Sequence, residues 1–343
     1  MSFFDGVTKA LKKHNEYINT YSDVDNYVDT GSYALNALVS GSIFGGFPNN
    51  KIIALAGESS TGKTYFTLGI IQQFLRDNPT GGVLYYETED AITEKMLIER
   101  GIDPDRVITV PVSTVQEFKH LALIALGKYT ELKEEDRPPM MMCLDSLGML
   151  STTKEMEDSA EGKETKDMTR AQLVKATFRV LTLKLGKAKV PLVLTNHTYQ
   201  TMGMFSTKEM SGGSGLRYAA DYIVYLSRKK EKDGTEVVGH VIHCLNNKSR
   251  LTKENKKVDV LLRYDTGLHR YYGLSDIALA AGIFKKLPKG IELPDGTKTT
   301  VNVINKNPKK YFTEDIMKRI DEACADQFMY GSSIVEEEED SNE

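Results

Sequence analysis

The chain has 343 residues, 40% apolar and 27% charged, the composition of a globular protein with room for one large domain and appendages. No apolar run reaches the roughly 18 residues that a membrane span needs, and the opening "MSFFDGVTKALKKH" carries Asp5 and lacks the apolar core of a secretory signal. The formal charge of −4 is uneven: the stretch "EEEEDSNE" at 336–343 holds six acidic groups and no basic one, so residues 1–335 carry +2 and can still present a basic groove.

In chain order, residues 2–14 place Phe3, Phe4, Val7, Ala10 and Leu11 near one helical face, an arm too short to stand alone. A polar Tyr/Asp-rich linker at 15–30 follows, and "SYALNALVSGSIFGGFPNN" reads as a short helix entering a Gly/Pro turn. From residue 51 the pattern alternates. Strands are predicted at 52–56, 83–86, 107–111, 140–144 and 191–195, with helices at about 64–76, 92–100, 115–126 and 169–185. Such alternation predicts a mostly parallel sheet covered by helices. Further strands are predicted at 222–227, 237–245 and 258–264, the last two as a hairpin extension. Two polar stretches, 151–168 and 198–215, directly follow strand ends, where open α/β sheets place their sites. The domain expectation is an arm and linker at 1–30, a core at 31–285, a small cap at 286–335 and an acidic tail at 336–343, which either solubilises the chain or competes for a basic groove. Cys143, Cys244 and Cys324 are far apart, with no C-x-x-C spacing, and predict neither zinc nor a disulfide framework but a reducing, cytoplasmic setting.

The stretch "ALAGESSTGKTYFTLGIIQQFL" contains Gly57, Glu58, Ser59, Ser60, Thr61, Gly62, Lys63 and Thr64, which fit G-x-x-x-x-G-K-[ST] at every fixed position between a predicted strand and a predicted helix. Glycines let backbone N–H groups turn toward phosphate oxygens, and the helix adds the positive end of its dipole. Lys63 is expected at the β and γ phosphates of ATP and the Thr64 hydroxyl on Mg²⁺. In "PPMMMCLDSLG", an apolar strand ends in Asp145, a second expected Mg²⁺ partner. In "VLYYETEDAIT", Glu87 and Glu89 are two apart, so one can face the γ-phosphate while the other supports it.

With "GESSTGKT", "YYETEDAIT", "CLDSLGML" and "VLTNHTYQTMGMFSTKEMSGGSGLRYAAD" in one order, the chain resembles the RecA/Rad51 family of recombinases over roughly residues 30–285. "DSLGML", "DMTRA", "NHTY" and "MFS" are similar to the branch found in T-even bacteriophages. The resemblance implies a RecA-like P-loop ATPase core of α/β class, with a short N-terminal polymerisation arm and a small C-terminal cap. It makes Glu89 the catalytic glutamate and places His197 where the family has a glutamine that senses the γ-phosphate; an imidazole can donate the same hydrogen bond. Met96 falls where the family stacks a tyrosine on adenine, and a thioether stacks less specifically. Lys248 matches a lysine that caps the neighbouring subunit's phosphates, while the second such lysine aligns with Asn246, so that Arg250 is the substitute; Arg217 and Tyr218 match interface residues. For DNA, the resemblance implies Arg170, Lys175 and Arg179 on the helix after the first loop, and Met204, Phe205, Gly212 and Gly213 in the second loop. It further implies an ATPase using Mg²⁺ that polymerises with itself on single-stranded DNA and pairs it with a homologous duplex, served by a single-strand-binding protein and a loading mediator in the cytoplasm of a host. A hexameric helicase sharing the core is the alternative, expected to carry an N-terminal helical domain and to close as a ring. A regulator that uses ATP only for assembly would more often be duplicated internally, and no repeat is present.

Overall fold

Continuous apolar runs along the predicted strands, with successive side chains on opposite faces, produce a sheet buried on both faces. The computed structural model describes residues 7, 9, 10, 24, 26–163, 169–200, 208–211 and 214–331. The expectations placed on Phe3, Phe4, Met204, Phe205, Gly212, Gly213 and the tail at 336–343 lie outside these residues.

Strand β1 (Tyr27–Val28) pairs antiparallel with β2 (Phe47–Pro48), with helix α1 (Tyr33–Ser40) between them. Strands β3 (Ile52–Gly57), β4 (Gly82–Glu87), β5 (Val107–Pro111), β6 (Met140–Asp145) and β7 (Leu192–Gln200) follow, then the short β8 (Lys208–Met210) and β9 (Tyr222–Asp233). β10 (Glu236–Ser249), β11 (Lys257–Arg263) and β12 (Gly267–Leu268) complete the main sheet, whose order is β12-β11-β10-β9-β3-β7-β6-β4-β5, with β8 paired to β7 alone. From β9 to β5 every neighbouring pair is parallel; β10, β11 and β12 extend the sheet antiparallel. The predicted hairpin is therefore a meander: β10 pairs with β9 as well as β11, because β9 and β10 run well past the expected 222–227 and 237–245.

Helices α2 (Lys63–Asp77), α3 (Glu94–Glu99), α4 (Val115–Glu131), α5 (Thr153–Ala160), α6 (Arg170–Ala188) and α7 (Ser214–Ala219) lie between strands. Successive strand residues serve opposite faces. Ile53, Leu55, Tyr85, Cys143 and Val193 pack with α1 and α2, whereas Ile52, Ala54, Tyr86, Leu144 and Leu194 pack with α4 and α6. Each such fully buried aliphatic side chain contributes about 1.5–3 kcal/mol of transfer free energy.

Both polar stretches contain ordered elements that periodicity did not reveal. α5 begins with a reciprocal capping box, the Thr152 hydroxyl accepting the Glu155 N–H at 3.1 Å and the Glu155 carboxylate accepting the Thr152 N–H at 2.9 Å. β8 is a three-residue strand that exists through its pairing with β7. The expected linker is also shorter than 15–30. Asp29 holds Arg270 through two hydrogen bonds of 3.1 and 2.6 Å, and Val28 and Thr30 are buried, which ties the end of that segment into the core.

Beyond α8 (Leu274–Ala280), the three-stranded sheet β13 (Lys285–Leu287), β14 (Gly290–Glu292) and β15 (Lys298–Thr299) is followed by α9 (Val301–Lys306), α10 (Pro308–Tyr311) and α11 (Glu314–Phe328). This cap shares a core with the main body: Phe284, Ile304, Ile316 and Ile320 join the apolar cluster of α1 and α2. Asp321 accepts the Ser42 hydroxyl at 2.6 Å and the Ile43 N–H at 2.8 Å. Cys143, Cys244 and Cys324 are all buried as free thiols, and burial pushes each well above its ordinary pKa, Cys324 to about 12. Among the described residues no helix is long and apolar enough to cross a membrane.

Close approach of α7 to α6 depends on one glycine. A Cβ on Gly215 would sit 2.9 Å from the Lys175 backbone N and 3.0 Å from the Ala171 carbonyl oxygen. Backbone cannot swing aside as a flexible side chain can, and overpacking of this kind costs about 1–3 kcal/mol. Gly215→Ala is expected to lower the melting temperature by several degrees in a thermal shift assay.

Candidate nucleotide site and the loops beside it

The sheet brings residues of four neighbouring strands to one place. Gly57 is level with His197 across β3 and β7, and Glu87 is level with Asp145 across β4 and β6. After Gly57 the chain turns through Ser60 at φ 59° and Gly62 at φ 90°, left-handed conformations that glycine adopts freely and serine seldom does. Gly57 is fitted to its place, since a Cβ there would lie 2.9 Å from the Leu226 carbonyl oxygen. Gly62 caps α2 and supplies no side-chain hydrogen bond, so the first-turn N–H groups of the helix face a cavity of about 640 Å³. That volume lies within the roughly 300–1,000 Å³ of small-molecule sites.

The buried charges of Lys63 and Asp145 at the cavity are each held by named partners. The Lys63 ammonium donates to the Gly57 and Glu58 carbonyl oxygens at 3.0 Å each and lies 3.5 Å from His197 Nδ1. Burial lowers its pKa, while the charges of Asp145 and Glu89 act to raise it. Asp145, also buried, accepts three hydroxyls: Thr64 at 2.6 Å and Tyr85 at 2.8 Å on Oδ2, and Thr195 on Oδ1. Burial and the adjoining Asp145 charge hold the Tyr85 phenol well above its ordinary pKa, so it stays a donor.

The two glutamates differ in setting, and strand alternation does not place them both. β4 ends at Glu87, so strand alternation does not reach Glu89. Buried Glu87 accepts the N–H groups of Glu89 at 2.9 Å and Ile92 at 3.0 Å, folding the chain back after the strand. Glu89 then turns into the cavity, where Oε1 accepts the Ser146 hydroxyl at 3.2 Å and lies 3.5 Å from His197 Nε2. His197 therefore stands between Lys63 and Glu89.

His197 also marks the stem of the second polar stretch. Its carbonyl accepts the Ser211 N–H at 2.8 Å, and Asn196 Nδ2 donates to the Ser211 carbonyl at 2.9 Å. Thr198, Tyr199 and Gln200 of β7 pair with Met210, Glu209 and Lys208 of β8 just above.

Other expected positions are less convergent. Arg170 is one of the positions that the resemblance implies on DNA. Its guanidinium donates to the carbonyls of Leu150 at 2.9 Å, Gly148 at 3.0 Å and Leu147 at 3.2 Å, closing the turn after Asp145. Lys175 and Arg179 do share an exposed face of α6, and the Lys175 ammonium lies 5.4 Å from the centre of the exposed Tyr218 ring. Met96 is half-buried against the apolar core rather than a cavity-lining residue. Lys248 also stands away from this chain's own cavity, its ammonium donating to the Arg217 and Ala220 carbonyls at 2.6 and 2.7 Å as a cap on α7. Asn246 is fully buried, bonded to Thr252 and Lys253, whereas Arg250 is exposed and reaches Asp221 at 3.0 Å. Arg217 is bonded to Asn247 at 3.0 Å.

Several cavity residues carried no sequence signal of their own. Arg100 lies 4.6 Å from the centre of the Tyr65 ring, and Tyr264, more than half exposed, lines both this cavity and an adjoining one of about 470 Å³. Arg228, His240, Leu262 and Arg263 also line the larger cavity.

A glycine-rich loop joining a buried parallel strand to a helix, with a carboxylate at the end of a nearby strand, defines the class of P-loop nucleoside-triphosphate-binding cores. The sequence profile of the RecA N-terminal domain matches residues 10–269, and the chain belongs to the RecA family. It is 34% identical over 256 residues to the "Recombination and repair protein" of Enterobacteria phage T4, a match covering 75% of this chain and 64% of that protein, so the chain spans less than two thirds of this relative. It is 25% identical over 308 residues to "Protein RecA" of Streptomyces rimosus, covering 86% and 76%. Against "Protein RecA" of Malacoplasma penetrans it is 25% identical over 289 residues, covering 81% and 84%.

Loss of Arg170 removes the donor to the Leu150 and Gly148 carbonyls, while Leu147 keeps the Leu150 N–H at 3.3 Å; an unsatisfied buried acceptor costs about 1–3 kcal/mol. Arg170→Ala is expected to lower the melting temperature by several degrees, and Arg179→Ala, whose side chain is exposed, to leave it nearly unchanged.

Proposed function

We propose that this protein is an ATP-dependent DNA recombinase that polymerises on single-stranded DNA and pairs it with a homologous duplex. The observation that carries the reading is the position of His197. Its ring stands 3.5 Å from both Lys63 and Glu89, and its backbone holds the stem of the second loop. A side chain so placed links the contents of the cavity to a segment beside it that is expected to hold DNA.

The residues present fit ATP and Mg²⁺. The loop 57–64 and the start of α2 offer backbone N–H groups for phosphate oxygens, and Lys63 adds a buried cation. Thr64 and Asp145 supply the hydroxyl and carboxylate oxygens that a hard cation takes. When bound, Mg²⁺ neutralises charge that develops between the β and γ phosphates. Glu89 orients the attacking water and takes its proton as the water oxygen bonds to the γ-phosphorus and the bond to the leaving nucleotide breaks. His197 donates to the γ-phosphate, and the Lys248 and Arg250 side chains, which lie away from their own cavity, reach the ATP of a neighbouring subunit.

Such a site ties nucleotide to assembly. A heterologous contact that does not close makes a helical filament. Lys175 and Arg179, with Met204, Phe205, Gly212 and Gly213, hold the strand's backbone and leave base edges free for Watson–Crick testing of a duplex. Hydrolysis loosens the grip, and the acidic tail at 336–343 competes for the same basic surface. A single-strand-binding protein and a loading mediator are the expected partners, and the host cytoplasm the expected setting. Tyr264 and Arg100, rather than Met96, are placed to meet the base.

Electron microscopy with single-stranded DNA and a non-hydrolysable ATP analogue tests the reading: open helical filaments support it, and closed rings or unassembled protein overturn it. Lys63→Ala is expected to abolish filament formation and weaken nucleotide binding at least tenfold. Glu89→Gln is expected to keep ATP-dependent DNA binding while turnover falls by about 10²-fold or more, measured by phosphate release.

A further inference from the structure

The two oxygens of the Glu89 carboxylate keep different company. Oε1 accepts the Ser146 hydroxyl at 3.2 Å and lies 3.5 Å from His197 Nε2, whereas Oε2 has no hydrogen-bond partner among the described residues. Glu89 sits on a bend just past the end of β4, with its side chain 41% exposed. A long carboxylate in that setting has several rotamers open to it. Something must select one for it to meet a water in a fixed direction.

Ser146 is built to do so. It is fully buried, and its N–H donates to Thr88 Oγ1 at 2.8 Å. Thr88 in turn donates its N–H at 2.9 Å and its hydroxyl at 3.1 Å to the Asp145 carbonyl. These contacts stitch the end of β4 to the end of β6, so the Ser146 hydroxyl and the Glu89 backbone ride on one scaffold. The Thr88 hydroxyl is already committed to Asp145, which leaves Ser146 as the hydroxyl aimed at Glu89. His197 Nε2 lies 3.5 Å from the same oxygen, a distance too long to fix it alone.

We propose that Ser146 is a positioning residue for hydrolysis: its buried hydroxyl holds Glu89 Oε1, so that Oε2 is the oxygen presented to the attacking water. The inference rests on Glu89 being the base. Ser146 itself touches no substrate, and its effect is on geometry, where a misplacement of about 1 Å can cost on the order of 10²-fold in rate.

Two variants of the full chain test it. Ser146→Ala removes the hydroxyl, and Ser146→Cys nearly keeps the volume while offering a weak donor. Both are expected to lower kcat by roughly tenfold, with KM and single-stranded DNA affinity within about twofold of the parent. In the Glu89→Gln background, Ser146→Ala is expected to add no further loss to the residual turnover. A crystal structure of Ser146→Ala is expected to show the Glu89 carboxylate moved from its place beside residue 146. An unchanged kcat in both variants, or a Glu89 carboxylate that stays in place, overturns the proposal. So does a loss of kcat matched by an equal loss of nucleotide affinity. If Glu89→Gln turns over normally, the reading of Glu89 as base fails, and the carboxylate's position in the crystal still decides whether Ser146 holds it.

Discussion

The register of the parallel strands governs everything at the cavity. Gly57 against His197, and Glu87 against Asp145, bring residues of four neighbouring strands to the same edge of the sheet. Strand side chains alternate, so a slip of one residue would send each of these groups to the opposite face. The slip is resisted because both faces are packed: neighbouring residues such as Ile52 and Ile53, or Met142 and Cys143, belong to separate apolar clusters on either side of the sheet. Core packing thereby sets the spacing of Lys63, Asp145 and His197, although none of the three belongs to the core itself.

A second property of the site is that its ions are hydrogen-bonded within the protein. Lys63 has two carbonyls, and Asp145 has three hydroxyls drawn from α2, β4 and β7. A buried charge without such partners would be costly, and a carboxylate with them keeps its direction. The partners are hydroxyls from separate elements, so Asp145 also joins the sheet to the helix after the glycine-rich loop. Glu87 does comparable work one strand away, accepting two backbone N–H groups to shape the bend that carries Glu89.

Much of this was legible in the sequence where chemistry has a fixed local spacing. The glycine-rich loop, the carboxylate ending an apolar strand and the alternation of strands with helices need only neighbours in the chain. Tyr85, Thr195 and Ser146 were not legible, because each acts on Asp145 or Glu89 across the sheet and gives no local pattern. The carbonyl contacts of Arg170 were not legible for the same reason: its three acceptors lie 20 to 23 residues away in the chain, and only the fold brings them within its reach. The short elements β8 and α5 were missed because so few residues carry little periodic signal; one depends on pairing with β7 and the other opens with a capping box. The shared packing of the stretch expected as a small cap was not legible either, since its apolar residues meet the core of α1 and α2 from far along the chain.

The burial of all three thiols has a practical side. A maleimide reacts with accessible thiolate, and these side chains offer neither access nor ionisation. A single cysteine introduced on the surface can therefore carry a fluorophore without stripping the native ones, and the chain becomes directly suited to watching individual molecules under a microscope.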